Sequence, residues 1–309
     1  MNCKPTFIAT VATGALMVSL TAQAHDTWFR PLLPASALAP VTSAQSVDLA
    51  LGTGNRYPVQ ETGVGAEYLE RQGCRTAGPD AVEQWMEPLR NDEHALVLRT
   101  PPKAAHCWAQ LAPLNIELTA ALVAVYLQEV QAPAEVRAAW QQMQARGWPW
   151  RERYTKHARV DLQPAGGDAA AASVPALARS LAPAVSPSIA PSLAASPVRL
   201  PMAMDIVRQP GAAGGWTFQV LREGRPLPYQ AMELIGESGS LGIWRRTDNA
   251  GRIALPTLPP GRWLLRGTWL RLAEDDASRW DSGFVTLAFE VAAAAQSEVR
   301  QGGVSLAGR

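Results

Sequence analysis

The hydrophobic patterning of this chain predicts a mainly-β protein with two β-sandwich domains of immunoglobulin or transthyretin type, the first carrying an added helical pair. Three observations carry that prediction. In both halves, apolar and polar residues alternate in short runs ended by Gly, Pro, Asn or Asp, the pattern of half-buried strands and their turns. Strong three- and four-residue apolar spacing occurs only in residues 117–147. Between the halves, residues 164–200 are dominated by Pro, Ala and Ser, with Pro175, Pro183, Pro187, Pro191 and Pro197 denying any continuous helix or sheet. The expected organisation is an N-terminal β domain over 25–163 with its helical insertion at 117–147, a disordered linker over 164–200, a C-terminal sandwich over 201–295 and a tail over 296–309.

Residues 1–24 read as a secretory signal. An apolar run from Phe7 to Leu20 follows Lys4, and Ala22-x-Ala24 offers the small side chains that signal peptidase accepts. Cleavage there leaves His25 at the mature N-terminus and implies a periplasmic protein. A terminal histidine presents its α-amine and its imidazole Nδ1 to one metal ion, and the resulting chelate displaces little more than one proton at neutral pH. After cleavage, no apolar run approaches the roughly 20 residues that span a bilayer. The formal charge of +1 gives no electrostatic footprint for nucleic acid. Cys3 leaves with the signal, and the remaining pair, Cys74 and Cys107, reads as one disulfide in an oxidising compartment, with a thiolate metal site beside His106 as the alternative.

In order along the first half, Val47 to Leu51 reads as a strand, and Gly52 to Pro58 as a loop that uses positive φ at its glycines. A short polar stretch, Glu67 to Gln72, leads to Cys74; Ala95 to Arg99 and Cys107 to Leu111 read as further strands. Leu118, Leu122, Val125, Tyr126 and Val130 form a first helical stripe, and Val136, Ala139, Trp140 and Met143 a second, with Pro133 between them and Gly147 as terminator. The segment from Trp148 to Val160 alternates like a strand with wet ends, its basic residues pairing with Glu152 and Asp161 on a solvated face. In the second half, strands are expected at Trp216–Leu221, Ala231–Ile235, Ile243–Thr247, Ile253–Leu255, Arg262–Gly267 and Phe284–Val291, the spacing of an antiparallel sandwich.

Three features together resemble a family of periplasmic proteins known as domain of unknown function 4198, whose members are associated with nickel and cobalt uptake systems. They are Ala24-His25-Asp26-Thr27-Trp28, the Arg151-to-Arg159 segment with Tyr154, Lys156 and Ala158, and Thr247-Asp248-x-x-Gly251 followed by Pro260-Gly261-x-Trp263. The last also resembles the transthyretin-like repeats that accompany carboxypeptidases. The resemblance implies a metal-handling role as an accessory to a membrane metal transporter, with His25 as the terminal ligand. Many relatives place a histidine where this chain has Asn55 after Gly54.

Among the remaining histidines, His94, His106 and His157, no two have a spacing that presents them together on one strand or helix, so any site must be assembled by the fold. The expected metal set is His25 with His157, which lies in the segment carrying the resemblance, and Asp26, which either adds an oxygen ligand, orients His25 or caps a turn. Nickel, cobalt or copper suits such nitrogen donors. Two other classes are kept open: a copper-dependent oxidative enzyme using a histidine brace and exposed tryptophans from among Trp148, Trp150 and Trp269, and a metal-free adhesion or carbohydrate-interaction module. No nucleophile elbow, phosphate loop or metalloprotease helix is present in the sequence, and a binding protein is favoured over an enzyme.

Overall fold

A computed structural model describes residues 26–32, 45–76, 80–162, 198–211, 215–239, 241–255 and 257–292. The predicted signal peptide, His25, nearly all of the Pro/Ala/Ser segment and the C-terminal tail lie outside the described residues. The first half contributes β1 (Asp26–Leu32), β2 (Asp48–Gly54), β3 (Thr62–Gly63), β4 (Leu69–Thr76), β5 (Glu83–Gln84), β6 (Glu87–Asn91), β7 (Leu96–Arg99), β8 (Ala104–Leu111) and β9 (Leu114–Leu118). Helices α1 (Ala120–Glu129) and α2 (Ala134–Ala145) follow, then β10 (Trp150–Asp161). The second half contributes β11 (Met204–Pro210), β12 (Trp216–Arg222), β13 (Arg225–Pro226), β14 (Ala231–Gly236), β15 (Ile243–Arg246), β16 (Arg252–Leu255), β17 (Gly261–Leu272) and β18 (Trp280–Val291).

The protein is mainly β, as its patterning predicts, and the two halves share their largest sheet. That sheet has nine strands in the order β15-β14-β17-β18-β10-β8-β4-β5, with β9 also paired to β10. The halves meet where β10 and β18 run parallel, in register from Glu152 opposite Trp280 to Asp161 opposite Phe289. A front sheet, β1-β2-β7-β6 with β3 on β2, comes wholly from the first half. A back sheet, β11-β12-β13 with β16 on β12, comes wholly from the second.

Strand alternation assigns the core to the two faces of this shared sheet. On the front, Trp28, Phe29, Leu49, Leu51, Leu96 and Leu98 pack onto Cys107, Ala109, Ala158, Val160, Leu264 and Ala288. On the back, Ile206, Phe218, Val220 and Ile253 pack onto Met232, Leu234, Leu265, Val285, Leu287 and Phe289. The helices cover the rest of the front: Val123, Tyr126, Leu127, Trp140 and Met143 bury against Trp150, Trp280 and Phe284. Trp150 lies at the centre of this cluster, stacked on Trp280 with ring centroids 4.5 Å apart and edge-on to Trp140 at 5.3 Å.

Several sequence expectations need correction here. The first helical stripe is shifted: Leu118 ends β9, Thr119 caps α1 by accepting from the Leu122 amide, and the buried positions are Val123, Tyr126, Leu127 and Val130, leaving Val125 exposed. With the helix starting after Leu118, its phase is set by the cap. Gly52 and Gly54 stay within β2 at ordinary strand φ, and close approach is what requires them. A Cβ at Gly52 would sit 2.6 Å from the His94 carbonyl oxygen, and one at Gly54 would overlap that of Val59. The Glu67–Gln72 stretch supplies much of β4, and Cys74 stands directly opposite Cys107 on β8, where the two form the expected disulfide.

The largest correction concerns Asp161 and Glu152, which are both buried. Arg159, also buried, donates from Nε to Asp161 Oδ1 at 2.9 Å and from Nη1 to Asp205 Oδ1 at 3.0 Å. His106 Nδ1 lies 2.8 Å from the same Asp161 oxygen, and Arg208 Nε lies 3.5 Å from the other. Burial pushes the Asp161 carboxyl up, but the Arg159 charge, the His106 contact and Arg208 outweigh it and hold the group well below the usual carboxylate range. This cluster ties β10 to β11 at the chain's return from the intervening segment. Asp161→Asn leaves the Arg159 charge buried and undercompensated, and urea denaturation at neutral pH is expected to show a loss of about 3–5 kcal/mol.

Candidate functional site

Of the residues singled out from sequence, Asp26 and His157 lie on opposite sides of the shared sheet. Asp26 opens β1 and is buried against the front face; its Oδ2 accepts from Arg266 Nη1 at 2.5 Å. Arg266 also holds Glu233, with Nη2 2.6 Å from its Oε2. Burial disfavours the guanidinium, but the Asp26 and Glu233 charges outweigh it and raise the Arg266 pKa. Arg266 pairs in register with Thr286, and Thr286 with Ala158; Thr286 Oγ1 donates to the Thr27 carbonyl at 2.7 Å. Ala158 and its same-face neighbours Lys156, Tyr154 and Glu152 therefore point towards β1 and the helices.

A cleft of about 620 Å³ opens at this point, lined by Asp26, Arg56, Glu129, Glu233, Trp244 and Arg266 among others. Its three carboxylates face two guanidiniums. Arg266 occupies Asp26 and Glu233, whereas Glu129 has no ion-pair partner among the described residues. Asn55 also lines the cleft and donates to Glu61 Oε2 at 3.1 Å. On the same face of the shared sheet, Lys156 is pushed down to about 8 by burial, against the attraction of Asp26. Glu152 accepts from Tyr126 Oη at 2.9 Å, from Trp150 Nε1 at 2.8 Å and from Ser282 Oγ. Burial raises the Glu152 pKa against the pull of these donors. Sequence reading missed this network because its partners, Tyr126 and Ser282, are separated from Glu152 by 26 and 130 positions.

His157 points the other way. Its Nδ1 lies 3.1 Å from the Phe284 carbonyl, and its Nε2 has no hydrogen-bond partner among the described residues. It lines a second cleft of about 330 Å³ on the back face, with Arg153, Thr155, Met204, Arg222 and Trp269. With the shared sheet between them, Asp26 and His157 cannot hold one ion together, so the expected three-ligand set is not assembled. His94 is exposed beside Glu93, and His106 belongs to the Asp161 cluster. No group of three or more His, Cys, Asp or Glu is placed to hold a metal among the described residues. Of the three tryptophans considered as a substrate surface, Trp150 is fully buried and Trp269 is covered by Arg222, whose Cζ is 3.9 Å from the ring centroid.

No family model, curated protein or solved structure matches this chain. Among the described residues, no helix is long and apolar enough to cross a membrane.

Two outcomes follow from these environments. Arg266→Met strands two largely buried carboxylates, and chemical denaturation is expected to show a loss of about 2–4 kcal/mol at neutral pH. Burial, against the Phe284 carbonyl and the Glu70 charge, lowers the His157 pKa from 6.5 to about 4. The unfolded chain then takes up the additional proton first, so this stability is complete above pH 6.5 and declines as pH falls towards about 4. In metal-free protein, His157→Gln should remove that part of the pH dependence, on the order of 3 kcal/mol, from the unfolding free energy measured across the window.

Proposed function

We propose that this is an exported, periplasmic metal-binding protein that takes a nickel, cobalt or copper ion at its mature N-terminus and serves as an accessory to a membrane metal transporter. The supporting observation is the anchoring of Asp26. Arg266 and the Thr286–Thr27 hydrogen bond fix the start of β1 at the edge of a cleft that carries more carboxylate than guanidinium. A histidine at the mature N-terminus supplies its α-amine and Nδ1 as a ready chelate. Asp26 serves here as the anchor, because its carboxylate is committed to Arg266. Glu129, the cleft carboxylate without an ion-pair partner among the described residues, is the oxygen donor that would complete the set. The resemblance to domain of unknown function 4198 supports the transporter association and the choice of metals.

The test is calorimetric titration with Ni²⁺, Co²⁺ and Cu²⁺ of protein beginning at His25, beside a form with one alanine added before it. The terminal chelate predicts one tightly bound ion for the first form and affinity at least about 100-fold weaker for the second, since losing the amine removes one of two strong nitrogen donors. Equal and weak binding by both forms would sink the reading.

A further inference from the structure

The back-face cleft poses a separate chemical question. The Phe284 carbonyl can only accept, so His157 Nδ1 carries the ring proton and Nε2 presents its lone pair. That nitrogen is enclosed, and no donor reaches it among the described residues. Leaving such a group unsatisfied is costly. The side chain sharing its surroundings is Met204, the first residue of β11. A Cβ built on Gly283 would overlap Met204 Sδ and lie 3.9 Å from His157 Cε1, so both side chains border the space that this glycine leaves open, and both line the same cleft. The thioether also offers lone pairs and no proton. An imidazole nitrogen without a hydrogen-bond partner among the described residues and a thioether sulfur thus line one cleft.

We propose that His157 Nε2 and Met204 Sδ form a buried two-donor site for a soft monovalent cation, Cu(I), at the seam between β10 and β11. Thioether with imidazole selects Cu(I) over harder divalent ions, and a single charge is far less costly to bury than a double one between neutral ligands. With the ring proton held on Nδ1 by the Phe284 carbonyl, Nε2 meets the ion as a free lone pair, and binding to the neutral ring displaces no proton. The backbone carbonyl that fixes the Nδ1 proton is the outer contact that orients a metal-ligating histidine. The cleft rim balances Arg153 and Arg222 against Glu223 and Asp281, so it neither repels nor strongly attracts the ion. This site is independent of the N-terminal one and stands whether or not His25 binds metal.

The test uses the exported protein, titrated anaerobically with Cu(I) against bicinchoninate as chromogenic competitor, and with Ag(I) as a redox-inert substitute while imidazole ¹⁵N resonances are followed. With four histidines in the whole sequence, the responding ring can be assigned. One ion per chain is expected, with the His157 Nε2 resonance shifting. Met204→Leu, close in volume, should weaken Cu(I) binding at least tenfold with little change in melting temperature. Met202→Leu, whose side chain packs against Trp108 and Leu200, should leave binding unchanged and so controls for general loss of methionine. An extra alanine before His25 should also have no effect. The proposal is overturned if no Cu(I) is taken from the competitor, if Met204→Leu binds like the parent, if another histidine responds, or if the N-terminal extension abolishes binding.

Discussion

The parallel pairing of β10 with β18 is the constraint on which the rest of this structure depends. Both are twelve-residue strands, and each is flanked on its other side by strands of its own half. Joining them turns what would be two sheet edges into the middle of one sheet, removing the unpaired backbone that exposed edges present. The sheet then has two faces of comparable hydrophobicity. One is covered by the front sheet and helices of the first half, the other by the back sheet of the second.

A parallel pair of this kind needs its register specified, since its strands are not joined by a tight turn. Two polar clusters supply specification at either end of β10. Glu152, with Ser282 on the partner strand and Tyr126 on α1, fixes one end against the helices. Arg159 and Asp161, with His106 and Asp205, fix the other end against β8 and β11. Slipping the pair by one residue would turn each of these charged groups to the opposite face, where apolar side chains await it. Their satisfied hydrogen bonds are worth little net energy compared with hydrophobic packing, but breaking any one of them is expensive, and that asymmetry enforces a single arrangement.

The same alternation separates the two candidate sites. Consecutive residues Lys156 and His157 sit on one strand yet face opposite sides of the sheet, Lys156 the side of Asp26 and His157 the cleft that Met204 also lines. The chemistry of the two places differs accordingly: two of the front cleft's three carboxylates are held by Arg266, whereas the back cleft has an imidazole nitrogen and a thioether in its lining.

Local pattern determined much of this protein by itself. The alternation at Trp216–Leu221 and Ala231–Ile235, the helical stripe of Val136, Trp140 and Met143, and the disulfide pair all follow from periodicity and cysteine count, because each depends on neighbours close in sequence or on how few cysteines there are to pair. Only tertiary structure could decide which face each strand shows to which layer. Nothing in the run from Arg151 to Val160 announces that Glu152 and Asp161 are buried, since their partners lie on other elements, up to 130 positions away. His157 and Asp26 looked like candidates for one site because both belong to the segments carrying the family resemblance. The pleat of β10 turns His157 to the back and Lys156 to the Asp26 side, and it became legible only once the parallel seam with β18 had fixed which side of the sheet was front.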